Sequence, residues 1–215
     1  LKLAYQQAVI AASSLLGYWK LNETVGATQA VDYGPYGFTL GGVPPTFGAT
    51  ALKSTDPATS ATFNGTDDEL HIVTGGTQNP SELWGNTELT VMGVIKMSAV
   101  PGTASAQVIG NIESAGGTMS WSLWVPGGGG TGQTRLTFRV VSGATYTLNN
   151  LPDITDNVAH HIVATFKASD TIEFWIDGVR VGTLATGAGA IIDAPNNFRI
   201  GATSDDARFL PGSLS

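Results

Sequence analysis

From His160 to Gly182 the sequence reads HHIVATFKASDTIEFWIDGVRVG, and two alternations of period two in so short a run call for extended backbone. Ile162, Ala164 and Phe166 fall on one side, against His161, Val163, Thr165 and Lys167 on the other. Ile172, Phe174 and Ile176 repeat the pattern against Glu173, Trp175 and Asp177. Ala168-Ser169-Asp170 is a short polar link of the kind a hairpin needs, and Asp177-Gly178 tolerates the positive φ that reverses a chain tightly. The run therefore predicts a three-stranded antiparallel meander, closed by Val179-Arg180-Val181.

A meander has to bury one face, and the rest of the chain has the composition to cover it. Charged residues make up only 13% of the 215, with 28 glycines, which favours many short strands joined by tight turns over helices rich in Glu and Lys. The length suits one all-β domain. The net charge of −7 argues against nucleic acid as a partner, because binding a phosphate backbone requires clustered Lys and Arg. With no cysteine, neither disulfides nor thiolate metal sites are available. The apolar stretch from Ala8 to Leu16 follows a single Lys and runs straight into Gly17-Tyr18-Trp19. It reads as a short helix or arm over residues 1–17, ahead of a domain over 18–215, and no run reaches the length of a membrane span.

Taken in order, Tyr18-Trp19-Lys20-Leu21 is expected to be the opening strand, followed by a Gly-, Pro- and Thr-rich segment from Asn22 to Gly48. Asp32 is placed to accept backbone N–H groups of the Tyr33-Gly34-Pro35-Tyr36-Gly37 turn. Ala61-Thr62-Phe63 reads as a strand ending at Asn64-Gly65, and Leu70 and Ile72 point opposite to His71. Thr74 to Gly85 reads as a loop carrying Pro80 and Trp84. Leu89 to Met97 is apolar on both faces, with Leu89, Val91 and Ile95 against Met92 and Val94, and is expected to lie centrally and covered on both sides. Trp121 to Val125, Arg135 to Val141 and a short strand at Tyr146 and Leu148 precede the meander, and Asn197 to Ala202 begins a return strand. Gly212 to Ser215 reads as a final strand cut off before its end.

These motifs, in this order, resemble the concanavalin A-like, laminin-G-like jelly-roll family: GYWKLNET with AVDYGPYG, then ATFNGTDDELHI, the HHIVATF…IEFWIDGVRVG hairpins, and NNFRIGATSDDARFLPGSLS. The resemblance implies an antiparallel β-sandwich of two sheets. The family usually carries Trp where Val94 and Ala159 stand here, and Trp121 and Trp124 are the candidates to refill that volume. YQQAVIAASSLLGYWKLNE also resembles a preface to such domains in phage tail and other virion proteins.

The fold hosts lectins, glycanases and assembly modules, so chemistry has to be read from residues. No strand bears the alternating carboxylates that glycoside hydrolysis requires, and no nucleophile–base constellation is visible. Adjacent His160 and His161 point to opposite faces and do not chelate one ion together. Sugar binding needs outward aromatic surface with polar groups at its rim; alternation gives Trp124, Arg135, Arg139 and Trp175. The same residues would serve equally to cover a sheet face beneath a loop or a neighbouring subunit. The resemblance also implies one structural calcium, for which Glu23, Asp32, Asp67, Asp68, Asp205 and Asp206 offer loop oxygens, although the usual closing-strand Asp is missing at Leu214-Ser215. The expectation is a non-catalytic recognition or adhesion domain of a virion, such as a phage tail or capsid, or else of a cell or extracellular surface. Its partner would be surface glycan or a neighbouring virion or surface protein. A purely structural, homo-oligomerising decoration domain is the alternative, and a glycoside hydrolase ranks last.

Overall fold

The structure is a computed structural model and describes residues 7, 9–12, 14–52, 58–73, 81–97, 105–110, 120–125, 137–142, 144–148, 151–187, 189–192, 198–203 and 208–215, with 137–139 as backbone only. Among these residues fourteen strands run in chain order: β1 Leu40–Val43, β2 Thr46–Ala49, β3 Ser60–Asn64, β4 Glu69–Ile72, β5 Glu88–Lys96, β6 Ala106–Gly110, β7 Trp121–Val125, β8 Thr137–Ser142, β9 Ala144–Leu148, β10 Ala159–Lys167, β11 Thr171–Ile176, β12 Val179–Ala185, β13 Arg199–Ile200 and β14 Pro211–Leu214. They make two seven-stranded antiparallel sheets. Sheet I has the order β1-β4-β13-β6-β7-β8-β9, and sheet II has β12-β11-β10-β5-β14-β3-β2. The inner faces of both contribute to one apolar core, with Leu40, Leu70, Ile72, Leu123 and Ile200 from sheet I and Phe63, Ile95, Ile162, Phe166, Ile172 and Phe174 from sheet II.

The meander forms as the alternation predicts. Ile162, Ala164 and Phe166 pair with Ile176, Phe174 and Ile172, and all six are buried. Ser169 sits at φ 60° in the first turn; Asp177 and Gly178, at φ 50° and 81°, make the second, with Ile176 paired to Val179. Two positive φ values in a two-residue loop match the twist of the flanking strands. One feature escapes the alternation: Phe174 faces Gly182 but Trp175 faces Arg180, so Val181 is an extra, bulged residue.

Elsewhere the structure corrects the sequence reading. Tyr18 to Leu21 is not a strand: it makes a single bridge, Trp19 to Asp32, and Leu21 turns away at φ 52°. Trp19 is nevertheless held, donating from Nε1 to the Phe38 carbonyl at 2.8 Å and stacking on Phe198 with ring centroids 5.4 Å apart. Among the described residues, central β5 is buried on one side, at Leu89, Val91 and Ile95, and less covered on the other, where Met92 is 46% exposed and Val94 half-buried. Trp121 is buried against Phe198 in sheet I, while Val94 lies on the outer side of sheet II, so Trp121 does not refill that place. The return strand shrinks to Arg199–Ile200, and Ser81–Leu83 is a 3-10 turn ahead of the buried Trp84. Strands β1, β2 and β6 escape the sequence reading because Gly41, Gly42, Gly48 and Gly110 interrupt their apolar pattern. At the N-terminus Gln7, Val9 and Ile10 are helical, and no helix among the described residues is long and apolar enough to cross a membrane.

Candidate functional site

Trp175 sits on β11 between the buried Phe174 and Ile176, so its indole faces out from sheet II. The ladder places Val163 and then Met92 beside it across β10 and β5, forming an apolar strip on the outer face. On the other side the bulge at Val181 brings in Arg180 rather than a valine. The Arg180 guanidinium carbon lies 6.0 Å from the indole centroid, at the edge of cation–π range, and Nη1 donates to Glu173 Oε1 at 2.7 Å. Both charged side chains are open to solvent, 53% for Arg180 and 27% for Glu173. An outward-facing, half-buried aromatic ring edged by a guanidinium and a carboxylate offers the elements of a pyranose site: a flat apolar surface with donors and acceptors for hydroxyls at its rim.

The hairpin carrying this platform is tied down at its turn. Asp177 accepts the His161 backbone N–H on Oδ1 at 2.9 Å, and its Oδ2 lies 2.6 Å from His160 Nδ1. The other ring nitrogen of His160 lies 3.2 Å from both carboxylate oxygens of Asp156, in the connection between β9 and β10. Burial opposes charge on this imidazole, but the hydrogen bonds to Asp177 and Asp156 and the charges of both carboxylates together outweigh it, holding its pKa above the ordinary 6.5. The Asp156 carboxyl is held below the usual aspartate value, first by the Val158 N–H and then, against a small desolvation effect, by His160.

The other residues singled out in the sequence lie elsewhere. Trp124 is on β7 of sheet I and alternates with the buried Leu123 and Val125, so it belongs to the opposite outer face from Trp175. Arg139 pairs with Ser122 across β7 and β8 in that same sheet, and Arg135 lies outside the described residues. The structure therefore puts Trp124 and the Arg139 backbone in sheet I and Trp175 in sheet II. On sheet I, Glu69 and Arg199 form an ion pair at 3.2 Å with each side chain 8% exposed, and His71 Nδ1 lies 3.0 Å from both Glu69 oxygens. Beside them the Gln107 amide donates to the Gly110 and Arg199 carbonyls, while Gln107 Oε1 and Ser122 Oγ, both buried, have no partner among the described residues.

The described calcium candidates do not assemble. Asp32 accepts three backbone N–H groups, from Tyr18 and Gly34 at 2.7 Å and from Phe38 at 2.9 Å, which occupies both its oxygens. Asp67 and Asp68 are held by Asn64, whose side-chain amide reaches each and whose N–H donates to Asp68 at 2.8 Å. Burial raises the Asp68 carboxyl above the usual aspartate value; the Asn64 N–H opposes this and the Asp67 charge adds to it. Glu23 accepts the Val31 N–H on one oxygen. Asp205 and Asp206 lie outside the described residues, and no three His, Asp or Glu side chains gather into a metal-binding group among the described ones.

Comparison with known proteins fits this architecture. The family model of the concanavalin A-like lectin/glucanases superfamily matches residues 64–215. The chain belongs to that superfamily. No curated protein matches the sequence. Among solved structures, a botulinum neurotoxin type C structure superposes with a TM-score of 0.60 at 11% identity, over 95% of this chain and 47% of that one. The binding domain of Paraclostridial Mosquitocidal Protein 1 gives 0.59 at 12% identity, over 89% and 46%. Domain 4 of the Geobacillus stearothermophilus arabinanase AbnA gives 0.50 at 17% identity, over 81% and 79%. At these identities the likeness is one of fold, and this superfamily member spans under half the length of the first two.

The sequence missed two parts of the site. Glu173 was legible as outward, but its alignment with Arg180 depends on the bulge at Val181. The His160, Asp156 and Asp177 cluster joins residues 17 and 4 positions apart, and an i, i+4 His–Asp spacing outside a helix carries no signal by itself.

Proposed function

We propose that this chain is a non-catalytic recognition domain that takes surface carbohydrate on the outer face of sheet II, with Trp175 as the stacking platform and Glu173 and Arg180 as partners for sugar hydroxyls. The observation that carries this reading is the outward-facing, half-buried indole edged by a hydrogen-bonded carboxylate and guanidinium. Two fold relatives lend it support: botulinum neurotoxin type C is described as depending on two ganglioside molecules to enter cells, and AbnA domain 4 is seen with arabinotriose. The non-catalytic part of the reading draws on the engagement of Asp32, Asp67, Asp68 and Glu69 in structural hydrogen bonds. We place the domain on the surface of a virion, a phage tail or capsid, on the strength of the N-terminal resemblance.

A glycan array probed with the wild type and with Trp175→Ala tests the site. Binding that the substitution reduces at least tenfold is expected, together with no release of reducing sugar from the bound glycans. An equal signal from Trp175→Ala removes sheet II from the reading. A stable oligomer with no glycan signal transfers the domain to the structural, decorating role.

A further inference from the structure

The platform and the imidazole clasp share one hairpin. Trp175 stands two residues before Asp177 and Arg180 three after it; Asp177 adopts the left-handed φ of 50° that a tight Asp-Gly turn accommodates, and its carboxylate is fixed by its surroundings. Those surroundings are the His161 N–H on one oxygen and the His160 ring on the other. His160 reaches in the opposite direction to Asp156, so a single ring spans from the β9–β10 connection to the β11–β12 turn.

A neutral imidazole has one N–H and one lone pair, so it donates to one of these carboxylates and turns a lone pair toward the other; only the doubly protonated ring donates to both. Among the described residues, the charged groups facing His160 are Asp156 from the β9–β10 connection and Asp177 from the turn. The β5 residue paired with it is the apolar Ile95, and His161 points to the other side of β10.

We infer that His160 is a pH-dependent positioning residue, whose bridge between Asp156 and Asp177 sets the geometry of the Trp175–Arg180 platform and so makes carbohydrate binding stronger in mild acid than in alkali. This inference rests on the carbohydrate reading for its final step, but its first step does not. The fold holds the imidazole pKa above 6.5, so the bridge is complete below that pH and is lost as pH rises through the raised value. At the acid end it persists until the carboxylates protonate, and Asp156 is held below the usual aspartate value.

The test has two arms on the full chain. In proton–nitrogen NMR without sugar, the Trp175 indole N–H and Arg180 amide signals should titrate with the same midpoint as the His160 ring, and His160→Gln should abolish that titration while leaving the core signals in place. Signals of Trp175 and Arg180 that ignore His160 overturn the inference, whatever the domain binds. In the second arm, immobilised arabinotriose, cellotriose, chitotriose and sialyllactose are probed at pH 5.5 and 8.5. Binding about fivefold weaker at the higher pH is expected, with a flat profile in His160→Gln. A pH profile shared by wild type and His160→Gln overturns the inference. Coupled NMR titration with no sugar bound at either pH leaves the positioning role established and refutes the carbohydrate reading and the binding step alone.

Discussion

Replacing Arg199 with Met would leave the Glu69 carboxylate inside sheet I with its guanidinium partner gone. Both side chains are 8% exposed and 3.2 Å apart, so solvent cannot take over the charge, and His71 and the Val43 N–H at 3.4 Å are poor substitutes. Breaking a buried pair from one side costs about 3–5 kcal/mol. For a domain of this size each kcal/mol moves the melting temperature by roughly 2–4 °C, so a fall of about 6–20 °C is expected. Glu69→Leu should also destabilise, because it removes the carboxylate that pairs with Arg199 and faces His71. Glu69→Leu with Arg199→Met should cost far less than the two together, because two apolar side chains of comparable volume carry no desolvation penalty. The measurement is urea unfolding of wild type, both single variants and the double variant, read as a double-mutant cycle. A loss under about 1 kcal/mol in Arg199→Met, or strict additivity in the double variant, would refute the argument that this pair is dry and coupled.

Three further outcomes follow from the geometry. Gly201→Ala should lower the melting temperature, because the residue sits at φ 88° and a Cβ there would collide with the Phe63 ring; about 2 kcal/mol by urea unfolding is expected, and an unchanged midpoint counts against that packing. The stability difference between wild type and His160→Gln should be about 1 kcal/mol at pH 6, where the raised imidazole is protonated, and should fade as pH rises through its folded value; a difference that grows with pH reverses the sign argued for it. Calcium and a chelator should leave the melting curve superimposable, since the described carboxylates are already bonded to N–H groups; a chelator-induced drop of several degrees would show that a cation site exists.

How much of this was legible in the sequence depends on how local the cause was. Period two from His160 onward, together with Asp177-Gly178, dictated the meander, its faces and its tight turn, because side-chain direction along a strand is set by neighbours in sequence. Asp32 was legible for the same reason, since it bonds the turn that follows it. Which sheet a strand joins is a non-local property. Trp124 and Trp175 both read as outward and both are, yet they look away from each other because β7 and β11 belong to different layers. Met92 read as covered because apolar residues on both sides of a strand are the mark of burial, but it is 46% exposed on the outer side of sheet II. The bulge at Val181 left no sequence trace, and with it went the alignment of Arg180 on Trp175.

Strand β14 lies between β3 and β5, in the middle of sheet II, although it is the last of the fourteen in chain order. On the ribosome the β2–β3 pair and the β5–β10–β11–β12 group therefore emerge as two separate pieces with facing, unsatisfied edges, and neither can be zipped to the other until residue 214 has left the exit tunnel. Synthesis of this layer is vectorial but its closure is not, so the two open edges must stay protected from neighbours on the same polysome until β14 is in place.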